Sequence, residues 1–159
     1  MIRLPGTITI AAVGRLRTPH WEAAQTDYLA RLRRYSRVEL VEVRDEVGGH
    51  LPDEVAITRE GEALLDAVRD IPWVIALNTK GKQAGSVQFA HYLRQKVEVY
   101  RDVGFVIGGP LGLAPAALER ADEQLSLSRL TLPHELARVV LLEQLYRAAT
   151  ILSGEPYHK

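Results

Sequence analysis

Short runs of apolar and β-branched residues alternate along the chain with segments in which apolar residues recur at helical spacing. The run Thr7–Gly14 (TITIAAVG) ends on a glycine, and Val38–Val43 (VELVEV) nearly alternates, as strands do. The continuous apolar runs Trp73–Asn78 and Gly104–Gly109 are typical of buried parallel strands. A shorter strand is predicted over Leu125–Ser128.

Helices are predicted between these strands. Thr18 and Pro19 supply an N-cap and a proline in the first turn, and Ser86 supplies a second candidate cap. The predicted helices are Pro19–Tyr35, Val55–Val68, Ser86–Tyr100, a short one from Pro115, and His134–Leu152. Because strands and helices alternate, we predict one α/β domain over residues 1–159, with a mostly parallel sheet covered on both faces.

The last predicted helix carries more apolar surface than one buried face requires. A surface helix needs an apolar stripe about 100° wide, whereas the apolar residues here exceed one face: Leu136, Val139, Val140, Leu142, Leu145, Tyr146, Ala149 and Leu152. The surplus predicts a buried helix or a subunit interface. We favour a homodimer that packs through this helix, since two-fold dimers are the commonest oligomers.

Composition narrows the function classes. With 20 basic and 20 acidic side chains, the formal net charge is zero, which argues against indiscriminate coating of nucleic acid, DNA included. There is no cysteine, hence no disulfide and no thiolate metal site. Without a signal peptide or an apolar run that could span a bilayer, we expect a cytoplasmic protein and no membrane partner. The cluster Arg31, Arg33, Arg34 and Arg37 is a local basic patch or a solvated helix face.

Two stretches follow predicted strands at the position where ligands bind in open α/β sheets. They are Leu77–Lys82 (LNTKGK) and Ile107–Leu113 (IGGPLGL). Gly108 and Gly109 allow the backbone to approach a ligand closely, although such a turn can also be a plain strand exit. Neither a dinucleotide-binding glycine pattern nor a phosphate loop is present, which disfavours phosphate-bearing cofactors.

A third stretch, Leu125–His134 (LSLSRLTLPH), combines hydroxyl groups with leucines before the last helix. Backbone groups here could read the edge of a purine while Leu127, Leu130 and Leu132 cover its faces. The alternative is that Ser126, Ser128 and Thr131 only cap the helix, and the two readings stay open.

Charged residues in the last helix and the segment after it are further candidates. Glu143 and Arg147 have the spacing of an ordinary surface pair, yet they and Arg138 are flanked by apolar residues, where a charge must be paired or functional. Beyond the helix, GEPYHK (Gly154–Lys159) presents Tyr157 and His158. An aromatic phenol and an imidazole in that position indicate a tail with a functional role rather than a frayed end.

The order of these motifs, IGGPLGL, LSLSRLTLPH, RVVLLEQLYRA and GEPYHK, resembles one family closely. It is similar to the bacterial large-subunit ribosomal RNA pseudouridine-N3 methyltransferases, of the SPOUT or α/β-knot class. The resemblance extends from AAVGRL to Lys159 and leaves Met1–Gly6 as an added leader. Asn78 and Leu111 depart from the acidic or polar residues usual in the family, so side-chain roles at these two positions stay open.

The resemblance implies a C-terminal trefoil knot and a homodimer whose active site is completed across the interface. The implied reaction is methylation of N3 of a pseudouridine (1915 in the family target) in 23S rRNA of the assembled large subunit or ribosome. The implied methyl donor is S-adenosyl-L-methionine, with no metal. The residues that would hold it are Leu77, Gly108, Leu127, Ser128, Arg129, Leu130, Thr131 and Leu132.

For the reaction itself, the N3 proton must leave. The candidates to accept it or to stabilise the anion are His158, Tyr157 and Glu143, with Arg138 and Arg147 as electrostatic clamps. Alternatively, Tyr157 stacks on a base and His158 contacts a phosphate. We expect the tail to serve the pocket of the partner subunit.

RNA recognition is expected to use a basic rim at the dimer cleft, formed by the tail with Arg31, Arg33, Arg34, Lys80, Lys82 and Arg129. The alternative function is a knotted dimer that binds ribosomal RNA without methylating it. A different small-molecule transferase is disfavoured by the C-terminal motifs.

Overall fold

The computed structural model describes residues 2–159 as alternating strands and helices. The strands are β1 Thr7–Val13, β2 Arg37–Val43, β3 Trp73–Lys82, β4 Val103–Ile107 and β5 Glu123–Leu125. The helices are α1 Pro19–Leu32, α2 Asp53–Ala67, α3 Ser86–Tyr100, α4 Pro115–Arg120 and α5 His134–Leu152, and a short 3₁₀ helix covers Pro156–His158. Within the described residues, none of the helices combines the length and the apolar character that a membrane span requires.

The five strands form one parallel sheet in the order β2-β1-β4-β3-β5. The predicted α/β architecture with a parallel sheet is therefore confirmed. Because every strand runs the same way, all five carboxyl ends meet at one edge, here called the carboxyl edge. The opposite edge is called the amino edge.

Helices cover both faces of the sheet, as the alternation of strands and helices predicts. Side chains alternate along β1, so that Ile8 and Ile10 pack with residues of α1, α3 and α5, whereas Ala11 and Val13 pack with residues of α2. The first face contains the larger core, to which α5 contributes Leu141, Leu142, Leu145, Ala148, Ala149 and Leu152. The second face is completed by Leu113 and Ala121, which flank α4.

Two strands differ from their predicted bounds by more than two residues. β3 continues past Asn78 to Lys82, with an irregular register between Leu77 and Lys82, because this polar stretch pairs with β5. A Cβ on Gly81 would stand 2.7 Å from the backbone of Gln124, so the close approach of the two strands requires a glycine there. β5 ends at Leu125, and the predicted strand residues up to Ser128 lie in the loop that follows.

Helices α1 and α2 also differ from their predicted bounds, since α2 covers Asp53–Ala67 instead of Val55–Val68. α1 ends at Leu32, three residues before the predicted end. The N-cap of α3 is Gly85, and Ser86 instead donates its hydroxyl to Oε1 of Gln144 at 2.8 Å.

The segment before β1 packs against the domain. Leu4 is buried in the larger core, and its N–H donates to the carbonyl of Tyr35 at 2.7 Å. The N–H of Ile2 donates to Oγ of Ser153 at 3.0 Å. Of the predicted leader Met1–Gly6, Met1 lies outside the described residues, whereas Ile2 and Leu4 are hydrogen-bonded to the domain.

Helix α5 runs across the sheet from edge to edge. At the carboxyl edge, Glu135 in its first turn accepts a hydrogen bond from the N–H of Arg17 at 2.7 Å, just beyond β1. At the amino edge, Glu155 beyond its last turn accepts one from the hydroxyl of Tyr35 at 2.6 Å, just before β2. Because α5 runs in this direction, its first turn lies at the carboxyl edge and the residues that follow its last turn lie at the amino edge.

Candidate active site

A cavity of about 700 Å³ opens at the carboxyl edge. Its walls come from the end of β3, from the turn between β4 and α4, and from the loop between β5 and α5. Seven of the eight residues predicted to hold the cofactor line it: Leu77, Gly108, Leu127, Ser128, Leu130, Thr131 and Leu132. The eighth, Arg129, is exposed and does not line the wall.

The turn after β4 is closed so tightly that it depends on glycine. A Cβ on Gly108 would stand 2.6 Å from the backbone of Gly112. Gly112 itself has a φ of +82°, and its N–H donates to the carbonyl of Gly109 at 3.0 Å. The turn thereby leaves backbone, rather than side chains, facing the cavity.

The loop between β5 and α5 is shaped by its own hydroxyls. The Ser126 hydroxyl donates to the carbonyl of Ser128 at 3.1 Å, and the N–H of Leu130 donates to Oγ of Ser128 at 3.0 Å. The N-cap of α5 is Pro133, and no side chain caps the helix. Ser126 and Ser128 therefore fold the loop that forms the cavity wall, and they do not cap the helix.

The cavity carries no formal charge on its wall. Within the described residues, its lining includes no Lys, Arg, Asp or Glu, and its polar side chains are those of Asn78, Thr79, Ser128, Thr131 and His134. Cavities of this size hold ligands of drug size. A leucine-lined, uncharged wall suits a nucleoside without phosphates, because a polyphosphate would lack a counter-charge.

The two departures from the family pattern both lie at this cavity. Asn78 is engaged within the sheet: its Nδ2 donates to Oε1 of Gln124 at 2.8 Å, and its Oδ1 accepts from the N–H of Lys80 at 3.2 Å. Leu111 lines the cavity and remains 48% exposed. Neither residue places a charge on the wall.

A second group of predicted site residues meets on α5 and the tail. Oε1 of Glu143 accepts hydrogen bonds from Nε and Nη2 of Arg147, at 3.0 and 2.7 Å, and from the hydroxyl of Tyr157 at 3.1 Å. Oε2 of Glu143 accepts from Nε2 of Gln144 at 2.6 Å. The guanidinium of Arg147 lies 4.9 Å from the ring centroid of Tyr157. We call Glu143, Arg147, Tyr157 and His158 the tail cluster.

The tail folds back on α5 by a glycine-dependent turn. Gly154 has a φ of +71°, and the N–H of Glu155 donates to the carbonyl of Thr150 at 2.9 Å. His158 is exposed, with Nδ1 3.1 Å from the carbonyl of Glu155. Since a carbonyl can only accept, this hydrogen bond requires the proton on Nδ1, which leaves Nε2 of a neutral imidazole able to take a proton.

Tyrosines surround the tail cluster at the amino edge. The ring of Tyr157 meets that of Tyr146 edge-on at 4.6 Å, and Tyr146 lies 6.3 Å from Tyr28. Burial, and then hydrogen bonding with Tyr28, raises the pKa of the Tyr157 phenol above its ordinary value. Tyr157 therefore stays protonated near neutral pH and acts as a hydrogen-bond donor rather than a base.

Arg138 lies apart from the tail cluster. Its side chain is 2% exposed, and its Nη1 lies 2.6 Å from Oε2 of Glu42. Its Nη2 donates to the carbonyls of Val13 and Gly14 at 3.0 and 2.8 Å. The guanidinium thus joins α5 to the ends of β1 and β2 and, within one chain, faces protein rather than an open substrate site.

The cavity and the tail cluster are far apart within one chain. His134 and Ala137, in the first turn of α5, line the cavity, and no residue of the tail cluster does. At a rise of about 1.5 Å per residue, Glu143 lies roughly 13 Å beyond His134 along the helix axis, and Arg147 lies roughly 20 Å beyond it. One chain therefore holds the two halves of the predicted site at opposite ends of one helix.

The predicted basic rim is divided in the same way. Arg31, Arg33 and Arg34 lie at the end of α1, close to the amino edge, whereas Lys80, Lys82 and Arg129 belong to the segments at the carboxyl edge. A single chain does not bring these two sets together.

Sequence reasoning missed several residues that the structure brings to these sites. His134 and Ala137 line the cavity, and Gln144 and Tyr28 contact the tail cluster. His134 is the last residue of the LSLSRLTLPH motif, and this position could have indicated that it lines the cavity. Nothing in the pattern pairs Tyr28 with a tail more than a hundred residues away.

Comparison with known proteins identifies the family. A family model described as "Predicted SPOUT methyltransferase" matches residues 7–158. The chain is 47% identical over 159 residues to "Ribosomal RNA large subunit methyltransferase H" of Limosilactobacillus reuteri (strain DSM 20016), covering 96% of this chain and 99% of that protein. It is 50% identical over 152 residues to the protein of the same name from Anaeromyxobacter sp. (strain Fw109-5), with the same coverage.

A solved structure, the probable methyltransferase from Bordetella pertussis Tohama I, has the same fold. It superposes with a TM-score of 0.58 at 16% identity, covering 92% of this chain and 97% of that one. Taken with the parallel sheet and its cavity at the carboxyl edge, matches that span nearly the whole length show that the chain belongs to the SPOUT methyltransferase family.

Proposed function

We propose that this protein uses S-adenosyl-L-methionine to methylate N3 of a pseudouridine in 23S rRNA of the assembled large subunit or ribosome. The observation that carries the proposal is the uncharged cavity between the Gly108–Gly112 turn and the Leu127–Leu132 loop. Support for an RNA substrate comes from the names of the relatives, which are ribosomal RNA large subunit methyltransferases. A ribosomal substrate implies that the enzyme acts in the cytoplasm.

The residues present fit the proposed cofactor. The leucines of the Leu127–Leu132 loop would cover the adenine, and the backbone around Leu77 and Gly108 would bind its polar edges. Bound there, S-adenosylmethionine would supply a methyl group already activated by its sulfonium. The protein then has to hold the acceptor nitrogen in line and remove its proton, without needing a metal for activation.

The tail cluster contains the groups that could accept this proton. Glu143 already accepts hydrogen bonds from three side chains, and Tyr157 is protonated, so both hold the tail in place. His158 is exposed, and its Nε2 can take a proton when Nδ1 donates to Glu155. We therefore assign proton acceptance to His158, with Arg147 placing positive charge beside the anion that forms at N3.

A homodimer would bring the two halves of the site together. Reacting atoms must come within about 3–3.5 Å of each other, which one chain cannot achieve when its tail and cavity lie at opposite ends of α5. Beside the half-buried side chains of Val140 and Gln144, a groove of about 260 Å³ lies between α5 and the start of α3. Leu130 at the cavity mouth is 77% exposed, as an interface residue is in an isolated chain. A second copy packed antiparallel along α5 would place its tail at this cavity. Family membership also implies the trefoil knot in this C-terminal part.

The reaction is tested by incubating the purified protein with ribosomes and methyl-labelled S-adenosylmethionine. Mass spectrometry of the digested rRNA should show 3-methylpseudouridine. A methyl group on ribose or on a base carbon would overturn the assigned reaction. If calorimetry detected no binding of S-adenosylmethionine while the protein still bound ribosomes, the protein would be a binding module instead.

Mixed dimers test the shared site. His158→Ala removes the proposed proton acceptor, and Thr131→Trp fills the cavity from an exposed position on its wall. Each variant alone should be inactive. Mixing them should restore activity, because a dimer with one copy of each has one site with an intact cavity and the other subunit's intact tail. No recovery in confirmed mixed dimers would show that each tail serves its own subunit.

A further inference from the structure

The loop between β1 and α1, Gly14–Thr18, is held at three points. The N–H of Gly14 donates to the carbonyl of Val43 at 2.8 Å, and its carbonyl accepts from Arg138 at 2.8 Å. The N–H of Arg17 donates to Glu135 at 2.7 Å. The backbone from which Arg15 and Arg17 project is therefore fixed by both β2 and α5.

This loop borders the cavity. Glu135, which holds Arg17, directly follows the cavity residue His134. Val13, which precedes the loop, packs against another cavity residue, with its Cγ1 3.2 Å from the point where a Cβ on Gly109 would stand. The loop therefore lies beside the cavity at the carboxyl edge. It is connected to the cavity wall through Glu135 and through Val13.

Two arginines of this loop have no acidic partner among the described residues. Arg15 and Arg17 are exposed, and within residues 2–159 neither has a carboxylate within 4.0 Å. Arg44, which follows β2, is 86% exposed, and its closest carboxylate is that of Glu46 at 3.9 Å. Two arginines on helices are paired more closely, Arg31 with Asp27 at 2.9 Å and Arg94 with Glu98 at 2.8 Å.

We propose that Arg15, Arg17 and Arg44, here called the cavity-edge arginines, bind backbone phosphates of the RNA strand that carries the target base. The inference rests on the proposed function and adds to it a substrate-binding surface. From a fixed backbone, Arg15 and Arg17 present guanidinium groups that are unpaired within residues 2–159, and Arg44 adds an exposed one that is only loosely paired with Glu46. Guanidinium groups bind phosphate oxygens through two parallel hydrogen bonds. The uncharged cavity receives the methyl donor, and the cations outside it bind the polyanion that must lie across its mouth.

A neutral chain thereby gains a local RNA-binding surface. The basic patch predicted from the sequence lies near the opposite edge of the sheet and would belong to the partner's side of a shared site; it comprises Arg31, Arg33, Arg34 and Arg37. The cavity-edge arginines belong to the subunit that holds the cofactor.

The test reverses these charges in the full-length protein. Arg15→Glu/Arg17→Glu should raise the KM for ribosomes by roughly tenfold or more, while the affinity for S-adenosylmethionine stays within twofold of wild type. The slope of log affinity for protein-free 23S rRNA against log salt should become shallower by about one for each phosphate that the variant no longer binds. Arg15→Lys/Arg17→Lys should restore most of the binding.

The matched control is Arg59→Glu/Arg69→Glu on and just after α2, on the face opposite α5, with the same change in net charge. It should leave the KM and the salt slope near wild type. An unchanged KM and salt slope in Arg15→Glu/Arg17→Glu would overturn the inference. So would weaker binding to ribosomes with unchanged binding to protein-free rRNA, because the arginines would then contact ribosomal protein.

The proposed function and the role of the cavity-edge arginines can be disproved independently. If wild-type protein methylated no rRNA, the proposed function would fail, whereas the RNA-binding comparison would still be decided by the salt slopes. If the charge-reversed protein misfolded by circular dichroism, Arg15→Gln/Arg17→Gln would take its place in the same assays.

Discussion

Nη1 of Arg138 on α5 lies 2.6 Å from Oε2 of Glu42 on β2, and the two side chains are buried unequally. The arginine is 2% exposed and the glutamate 27% exposed. Arg138 also donates to two main-chain carbonyls at the end of β1. The pair therefore fixes the cavity end of α5 to two strands. We expect the arginine to contribute more than the glutamate to the stability of the fold.

Arg138→Met should destabilise the fold more than Glu42→Gln. The methionine leaves the carbonyls of Val13 and Gly14 without their donor, so we expect a loss of about 3 kcal/mol in the free energy of unfolding. The glutamine removes the counter-charge but keeps an acceptor for the arginine at a partly exposed site, so it should cost less, about 1–2 kcal/mol. Urea denaturation measures both. A methionine variant as stable as wild type would show that the buried charge contributes no net stability.

Tyr157→Phe should lower kcat without changing cofactor affinity. The phenylalanine keeps the ring contacts with Tyr146 and Arg147 but loses the hydrogen bond to Glu143. We expect roughly a tenfold loss in kcat, from a tail held less firmly. Tyr92→Phe, which removes a hydroxyl on α3 that accepts from Trp73, is the control and should keep wild-type kcat. Weaker binding of S-adenosylmethionine to the Tyr157 variant would mean that the tail shapes the cavity instead.

Gly108→Ala should abolish cofactor binding. Its Cβ would stand 2.6 Å from the backbone of Gly112, so the turn that forms the cavity wall would have to open. Gly85→Ala is the matched control, because a Cβ there meets only the end of Gln88 at 3.9 Å and the backbone has a φ of −70°. Calorimetry with S-adenosylmethionine should separate the two. Normal binding to Gly108→Ala would show that the turn can yield.

Glu60→Gln should become more stable than wild type as pH rises. Glu60 is buried, its Oε2 accepts from the N–H of Glu46 at 3.0 Å, and burial, with the nearby Asp45, raises the pKa of its carboxyl above the ordinary value. Its contribution to stability is therefore full below the ordinary pKa and is lost as pH rises through the raised one. The amide has no proton to lose. Melting temperatures between about pH 4 and 8 should diverge in favour of the variant, whereas Glu62→Gln, at an exposed site, should follow wild type.

The architecture was predictable because the spacing of apolar residues along the chain reflects which side chains are buried. The apolar run Trp73–Asn78 has the pattern of a strand buried on both sides, and it lies between β4 and β5. The continuation of β3 to Lys82 was not predictable, since Thr79–Lys82 is polar and becomes a strand only through pairing with β5. The bounds of β5 likewise depend on its pairing with β3, and the strand therefore covers Glu123–Leu125 rather than the predicted residues.

The cavity was predictable, and its relation to the tail was not. Leu77, Gly108 and the Leu127–Leu132 loop meet because parallel strands bring their carboxyl ends together. The position of Tyr157 depends on the direction of α5 across the sheet, which spacing does not encode. The apolar flanks of Arg138 predicted a charge that is either paired or functional, and they could not tell which. Within one chain its guanidinium has internal partners. The knot implied by family membership is likewise invisible to periodicity.

The course of α5 from edge to edge has a consequence for how the proposed activity depends on protein concentration. If the cavity of one subunit requires the tail of another, an isolated chain is inactive however much methyl donor is present. Activity per chain should then fall on dilution below the dimer dissociation constant, and the amount of enzyme in the cell would itself set the fraction that can act.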